Sequence, residues 1–173
     1  AYEEAVIQTT ANAVFVIVTN PCDVLTVLAK ESTGLPANRI FASGTVLDTS
    51  RLRWQLARRA GVAPSSVHAV IVGEHGDTGF SLWSSASIGT VPILEWIKPD
   101  GTRFTVQELD EIAIAVRDAA YKVIAGKGAT NYAIGITSAR IIEAILNDEH
   151  ASAPSSPIAQ GRRNSRHVKK GHA

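Results

Sequence analysis

The 173-residue sequence contains no methionine and only one cysteine, Cys22. A single thiol cannot build an intrachain disulfide framework. It suits a reducing compartment, so the expected location is cytoplasmic. Such a thiol reads as a small buried apolar residue. Aromatic residues are scarce (6%), and no apolar run approaches the roughly 18 residues of a membrane-spanning helix. The N-terminus lacks the basic-then-apolar layout of a secretory signal. Acidic residues are also missing from the C-terminal tail. Residues 1–150 carry all 16 Asp and Glu against 12 Lys and Arg, whereas residues 151–173 carry five Lys and Arg and no acid. The body is therefore mildly acidic and offers no electrostatic case for nucleic-acid binding. The tail is Ser/Pro-rich and then basic, without helical or strand period, and reads as a disordered end, with a basic arm that grips phosphates as the alternative. With no initiator methionine and an opening on Ala1-Tyr2-Glu3-Glu4, the chain reads as a fragment.

What is present is a globular balance, 45% hydrophobic and 19% charged. The run Ala13-Val14-Phe15-Val16-Ile17-Val18 is β-branched and aromatic throughout, the pattern of a strand buried on both faces of a parallel sheet. Asn20-Pro21 then opens a helix, Asn as N-cap and Pro as first helical residue. Val24, Leu25, Val27 and Leu28 lie on one side of that helix, and Gly34 stops it. A second helix is expected from about Thr45 to Ala60, closed by Gly61. A second buried strand is expected over Val67 to Val72. The capping box Thr105-x-x-Glu108 starts a long helix at about 106–125, and a last helix covers roughly 131–146. Strands alternating with helices indicate an α/β architecture.

Ligands of α/β sheets bind beyond the carboxyl ends of strands. Two polar clusters stand there: Thr19-Asn20-Pro21, and Gly73-Glu74-His75-Gly76-Asp77-Thr78. His75 has the setting of an acid–base group, because imidazole titrates near neutral pH. A plain surface histidine is the alternative. Asp48 and Arg51 share one helix face at i and i+3, which a surface ion pair would also explain. Used separately, a guanidinium presents two parallel donors to a carboxylate, and a carboxylate orients a histidine. A metal-dependent hydrolase built on His75 and Asp77 lacks a second clustered ligand set, and no metal is expected.

At these residues the chain closely resembles the lactate/malate dehydrogenase family. The resemblance rests on three blocks in order: Val18-Thr19-Asn20-Pro21, Ser43-Gly44-Thr45-Val46-Leu47-Asp48-Thr49-Ser50-Arg51-Leu52-Arg53, and Val72-Gly73-Glu74-His75-Gly76-Asp77-Thr78. The 28 residues from Asn20 to Asp48 and the 27 from Asp48 to His75 fit the family's spacing. The resemblance implies an α/β fold. Residues 1–21 would be the end of a Rossmann-type NAD-binding domain. Residues 22–150 would be the family's α+β C-terminal substrate domain, truncated. Residues 151–173 depart from the family and read as a frame-shifted or truncated end.

The resemblance further implies that His75 exchanges the proton of the substrate carbonyl or hydroxyl, that Asp48 orients it, and that Arg51 clamps the substrate carboxylate. Asn20 would touch both the nicotinamide ribose and the substrate, Thr130 would line the substrate pocket, and Val18 and Ile134 would pack near the nicotinamide of NAD. Glu74 favours lactate over malate. Arg53 and His68 match the positions at which allosteric bacterial members bind fructose 1,6-bisphosphate. The implied assembly is a homotetramer acting on pyruvate and L-lactate in glycolysis and fermentation, with no nucleic-acid or membrane partner. Malate oxidation, and a non-catalytic relic associating with an intact homologue, are the alternatives. The sequence holds no Gly-x-Gly-x-x-Gly turn for the cofactor pyrophosphate, nor the mobile loop that brings a second arginine. Weak activity or none is therefore expected of the chain alone.

Overall fold

In the computed structural model, residues 13–154 are described. The expectations for the opening residues and for the basic tail beyond Pro154 fall outside them. The described chain forms two compact units that part between Gly44 and Thr45. The division expected from sequence instead placed the boundary at residues 21–22. The reason is a parallel pairing that spans that point. Strand β1 (Phe15–Ile17) pairs in parallel with β2 (Ile40–Ala42), Phe15 opposite Ile40, and helix α1 (Cys22–Thr33) makes the crossover. β1 is half-buried along its length, not covered on both faces, whereas β2 is fully buried.

Asn20 does not cap α1. Pro21 holds the N-cap position in extended backbone, no side chain caps it, and the Pro21 carbonyl accepts from the Leu25 N–H. The Asn20–Pro21 peptide is cis. Gly34 ends the helix in the left-handed conformation that glycine adopts without penalty. α1 buries Cys22 and Thr26, the threonine hydroxyl donating to the Cys22 carbonyl at 2.7 Å. Three of the four residues of its apolar side are exposed, Val24 at 51% and Leu28 at 55% among them. The same unit contains the last helix, α5 (Tyr132–Leu146).

The second unit, residues 45–131, is built around helix α2 (Val46–Ala60), which Gly61 closes in the left-handed conformation. Leu52, Leu56 and Ala60 repeat at every fourth residue and face the core. The expected strand over 67–72 is two short ones: β3 (Val67–His68) and β4 (Ile71–Val72). β4 pairs with β5 (Phe80–Ser81), and β3 pairs with β6 (Ser87–Ile88), which continues to β7 (Val91–Pro92). All three pairings are antiparallel, and the chain changes partners at Ala69-Val70. Val67, Ala69 and Ile71 are buried while His68 is exposed, the alternation of a strand covered on one face only.

Across this core lies helix α3 (Val106–Arg117), whose Leu109, Ile112 and Val116 meet Leu52, Leu56, Ile88 and Phe104. The Thr105 hydroxyl caps it, accepting from the Glu108 N–H at 3.1 Å. The Glu108 carboxylate does not close the capping box reported by its spacing. It pairs instead with Lys98 at 2.9 Å and Arg59 at 3.8 Å. The long helix expected to about residue 125 is interrupted at Asp118. The chain continues as α4 (Ala119–Lys127), which has no buried residue. Among the described residues no helix is long and apolar enough to cross a membrane.

Candidate active site

The site forms where the first turn of α2 meets the loop that joins β4 to β5. The loop is tight for two backbone reasons. Gly73 turns with φ +96°, and a Cβ on Gly79 would stand 2.8 Å from the Glu74 carbonyl oxygen. Within the loop the Thr78 hydroxyl donates to Glu74 at 2.6 Å. Outside it, the Tyr121 hydroxyl of α4 donates to Asp77 at 3.3 Å. His75 sits at the centre. The expectation that this cluster follows a strand of a parallel sheet is thus corrected: it is a hairpin loop between antiparallel strands.

Asp48 lies in the first turn of α2, where a carboxylate is favoured by the helix dipole. Its two oxygens serve different partners. Oδ2 accepts from Nδ1 of His75 at 2.6 Å, and Oδ1 pairs with Nη1 of Arg51 at 3.6 Å. The side chains retain 15% exposure at Asp48, 24% at His75 and 19% at Arg51, so the group is shielded yet reachable. The structure therefore brings together the three residues singled out for proton exchange, orientation and anion binding. It also realises the plain Asp48–Arg51 ion pair, and the two readings coexist because a guanidinium has five N–H donors.

The two segments meet through contacts that the sequence pattern did not single out. The Thr45 hydroxyl donates to the Ile71 carbonyl at 2.6 Å, and the Thr49 hydroxyl accepts from the Ile71 N–H at 2.9 Å. Arg53 follows one turn later, its Nε donating to the Ala69 carbonyl at 2.9 Å. Because Thr45 directs its hydroxyl to Ile71, it does not cap α2 despite standing at the N-cap.

Of the other residues, Thr130 is exposed in the turn between α4 and α5, within the second unit. Val18 and Asn20 are exposed beyond the carboxyl end of β1, and Ile134 is half-buried in the first turn of α5. All three belong to the first unit. Arg53 reaches the backbone beside His68, which is exposed on β3, and burial holds the Arg53 guanidinium below its ordinary pKa. Among the described residues no three of His, Cys, Asp and Glu group together as a metal site would require.

Residues 45–168 match the family model of the lactate/malate dehydrogenase α/β C-terminal domain. The chain is 47% identical over 150 residues to an L-lactate dehydrogenase of Oceanobacillus iheyensis, covering 87% of this chain and 46% of that one. It is 44% identical over 165 residues to an L-lactate dehydrogenase of a Geobacillus species, covering 95% of this chain and 51% of the relative. Among solved structures, a lactate dehydrogenase from a deep-sea metagenome library superposes with a TM-score of 0.84 at 38% identity, over 92% of this chain and 52% of that one. The chain spans about half the length of the curated relatives it matches. The matched segment begins at Thr45, where the second unit begins, and contains Asp48, Arg51 and His75. By sequence and fold together, the chain belongs to the lactate/malate dehydrogenase family.

Proposed function

We propose that the chain carries the substrate-handling site of an NAD-dependent L-lactate dehydrogenase, which interconverts pyruvate and L-lactate. The observation that carries this reading is the 2.6 Å contact between His75 and Asp48, with Arg51 on the same carboxylate. With Nδ1 engaged by Asp48, proton exchange with the substrate falls to Nε2 of His75. As pyruvate is reduced, Nε2 gives its proton to the carbonyl oxygen. As lactate is oxidised, Nε2 takes the hydroxyl proton, and the Asp48 carboxylate stabilises the imidazolium that forms. Arg51 anchors the substrate carboxylate through two parallel N–H donors, fixing the reacting carbon at a set distance from His75.

The residues present fit the nicotinamide end of NAD. Val18 and Asn20 stand exposed at the carboxyl end of a parallel strand, where such ligands bind. These two residues and Ile134 would hold the ring and its ribose, and Thr130 would line the substrate side. The nicotinamide, when bound, supplies the hydride chemistry. Nothing in the sequence provides a glycine-rich pyrophosphate turn, so turnover by this chain alone is expected to be weak but measurable. Arg53 and His68 would take the phosphates of an activator such as fructose 1,6-bisphosphate, in a homotetrameric assembly.

The test is pyruvate-dependent NADH oxidation by the purified chain, with and without fructose 1,6-bisphosphate, alongside His75→Asn. The expected result is turnover that falls at least about 100-fold in the variant and is higher for pyruvate than for oxaloacetate. Equal turnover by His75→Asn would overturn the assignment. A folded chain with no turnover would favour the alternative, a non-catalytic relic that associates with an intact homologue.

A further inference from the structure

We infer that Thr45 and Thr49 are positioning residues for the acid–base pair, setting the height of α2 against β4 so that Asp48 meets Nδ1 of His75. This deepens the proposed function and rests on it for the roles of Asp48 and His75. The inference starts from one residue, Ile71. Its side chain enters the core, and both of its backbone polar groups are met by threonine hydroxyls of α2, the carbonyl by Thr45 and the N–H by Thr49. Both threonines are buried, at 1% and 3% exposure, so no water competes for these bonds.

Two hydroxyls one helical turn apart, one donating and one accepting, leave a single register between helix and strand. A slip of one residue would put Gly44 or Val46 in the place of Thr45, leaving the buried Ile71 carbonyl without a side-chain donor. Asp48 lies between Thr45 and Thr49 in α2, and His75 lies four residues beyond Ile71. Fixing Ile71 against 45 and 49 therefore fixes both ends of the 2.6 Å contact. Arg53, bonded to the Ala69 carbonyl on the same helical stripe, continues the alignment by one more turn.

The readout is the tautomer of the His75 ring in the full chain with ring-labelled histidine. It is followed by nitrogen NMR at alkaline pH, where the neutral ring predominates, and His75→Asn identifies the signals. The wild-type ring is expected to carry its proton on Nδ1, held there by Asp48. Thr45→Val/Thr49→Val keeps the shape of both side chains and removes both bonds. It is expected to move most of the ring population to the Nε2–H form, while Thr45→Ser/Thr49→Ser retains the wild-type tautomer. Where the double valine variant lacks a native circular dichroism spectrum, each single valine variant is read the same way, with a partial shift expected.

A folded valine variant with the wild-type tautomer overturns the inference, as does a wild-type ring already in the Nε2–H form. Serine variants that behave like the valine variants overturn it as well. Pyruvate turnover is measured separately on the same samples. Its absence in every sample counts against the proposed function, while the tautomer still decides the role of the threonines.

Discussion

Asp48 serves two partners with one carboxylate, which explains why its chemistry and its place in the helix cannot be separated. Each oxygen has its own cation-forming partner, His75 on one side and Arg51 on the other, and an amide would offer one oxygen where two are used. Cys22 is a titratable group of another kind, a free thiol buried at the start of α1. Burial foremost, and the neighbouring Asp23 carboxylate, push its thiol above the ordinary value of 9.0. The folded chain therefore keeps the neutral thiol, whereas the unfolded chain ionises once the pH passes about 9.0. Stability contributed this way is complete below that pH and is lost as the pH rises above it. Denaturant midpoints measured from pH 7 to 10.5 are expected to fall at the alkaline end by an increment that is absent in Cys22→Ala. An identical alkaline loss in the variant would show that the thiol is not the cause.

At the scale of elements, the glycines that close helices and the Thr105 cap were the most legible features. Gly34 and Gly61 close α1 and α2 as their positions indicated, and Thr105 caps α3 through its hydroxyl. Thr105→Ala is expected to lower stability by about 1 kcal/mol, read as a shift in the denaturant midpoint, while Thr105→Ser leaves it nearly unchanged. What the pattern concealed was pairing. Val67 to Val72 is apolar enough to read as one strand buried on both sides, yet only the odd residues enter the core, and the chain changes partners midway. Which strand a segment pairs with depends on residues far away in the chain, so no local period reports it. The site shows the same division. His75, Asp48 and Arg51 were legible as residue types suited to acid–base and anion chemistry and through the motif they form. The 2.6 Å contact needed the fold, and Thr45 and Thr49 were invisible because a buried hydroxyl and a solvated one look alike in sequence.

At the scale of the whole molecule, burial is unevenly shared. The second unit has a continuous core from Leu52 to Val116, drawn from α2, α3 and the antiparallel strands. The helices outside it keep much of their apolar surface in solvent, including Leu28 in α1, Ile124 in α4, and Ile136 and Leu146 in α5. Local stability follows buried apolar contact. Hydrogen exchange is therefore expected to be slowest at Leu52, Leu56, Ile112 and Val116 and fast throughout α4. Equal protection of α4 and α2 would contradict this account. The exposed rows of isoleucine and leucine also exceed what isolated surface residues present.

The bonds between α2 and Ile71 have one more consequence. A short strand with open hydrogen-bonding positions along its outer edge is a template on which a foreign strand can add, and such edges lead to aggregation. Among the described residues, β4 has β5 on one side only. On the other side, the donor and acceptor of Ile71 are already occupied by threonine hydroxyls from a helix, which has no further edge to extend. The threonine contacts that hold α2 against Ile71 thus also occupy the edge positions of that residue in the strand leading to His75.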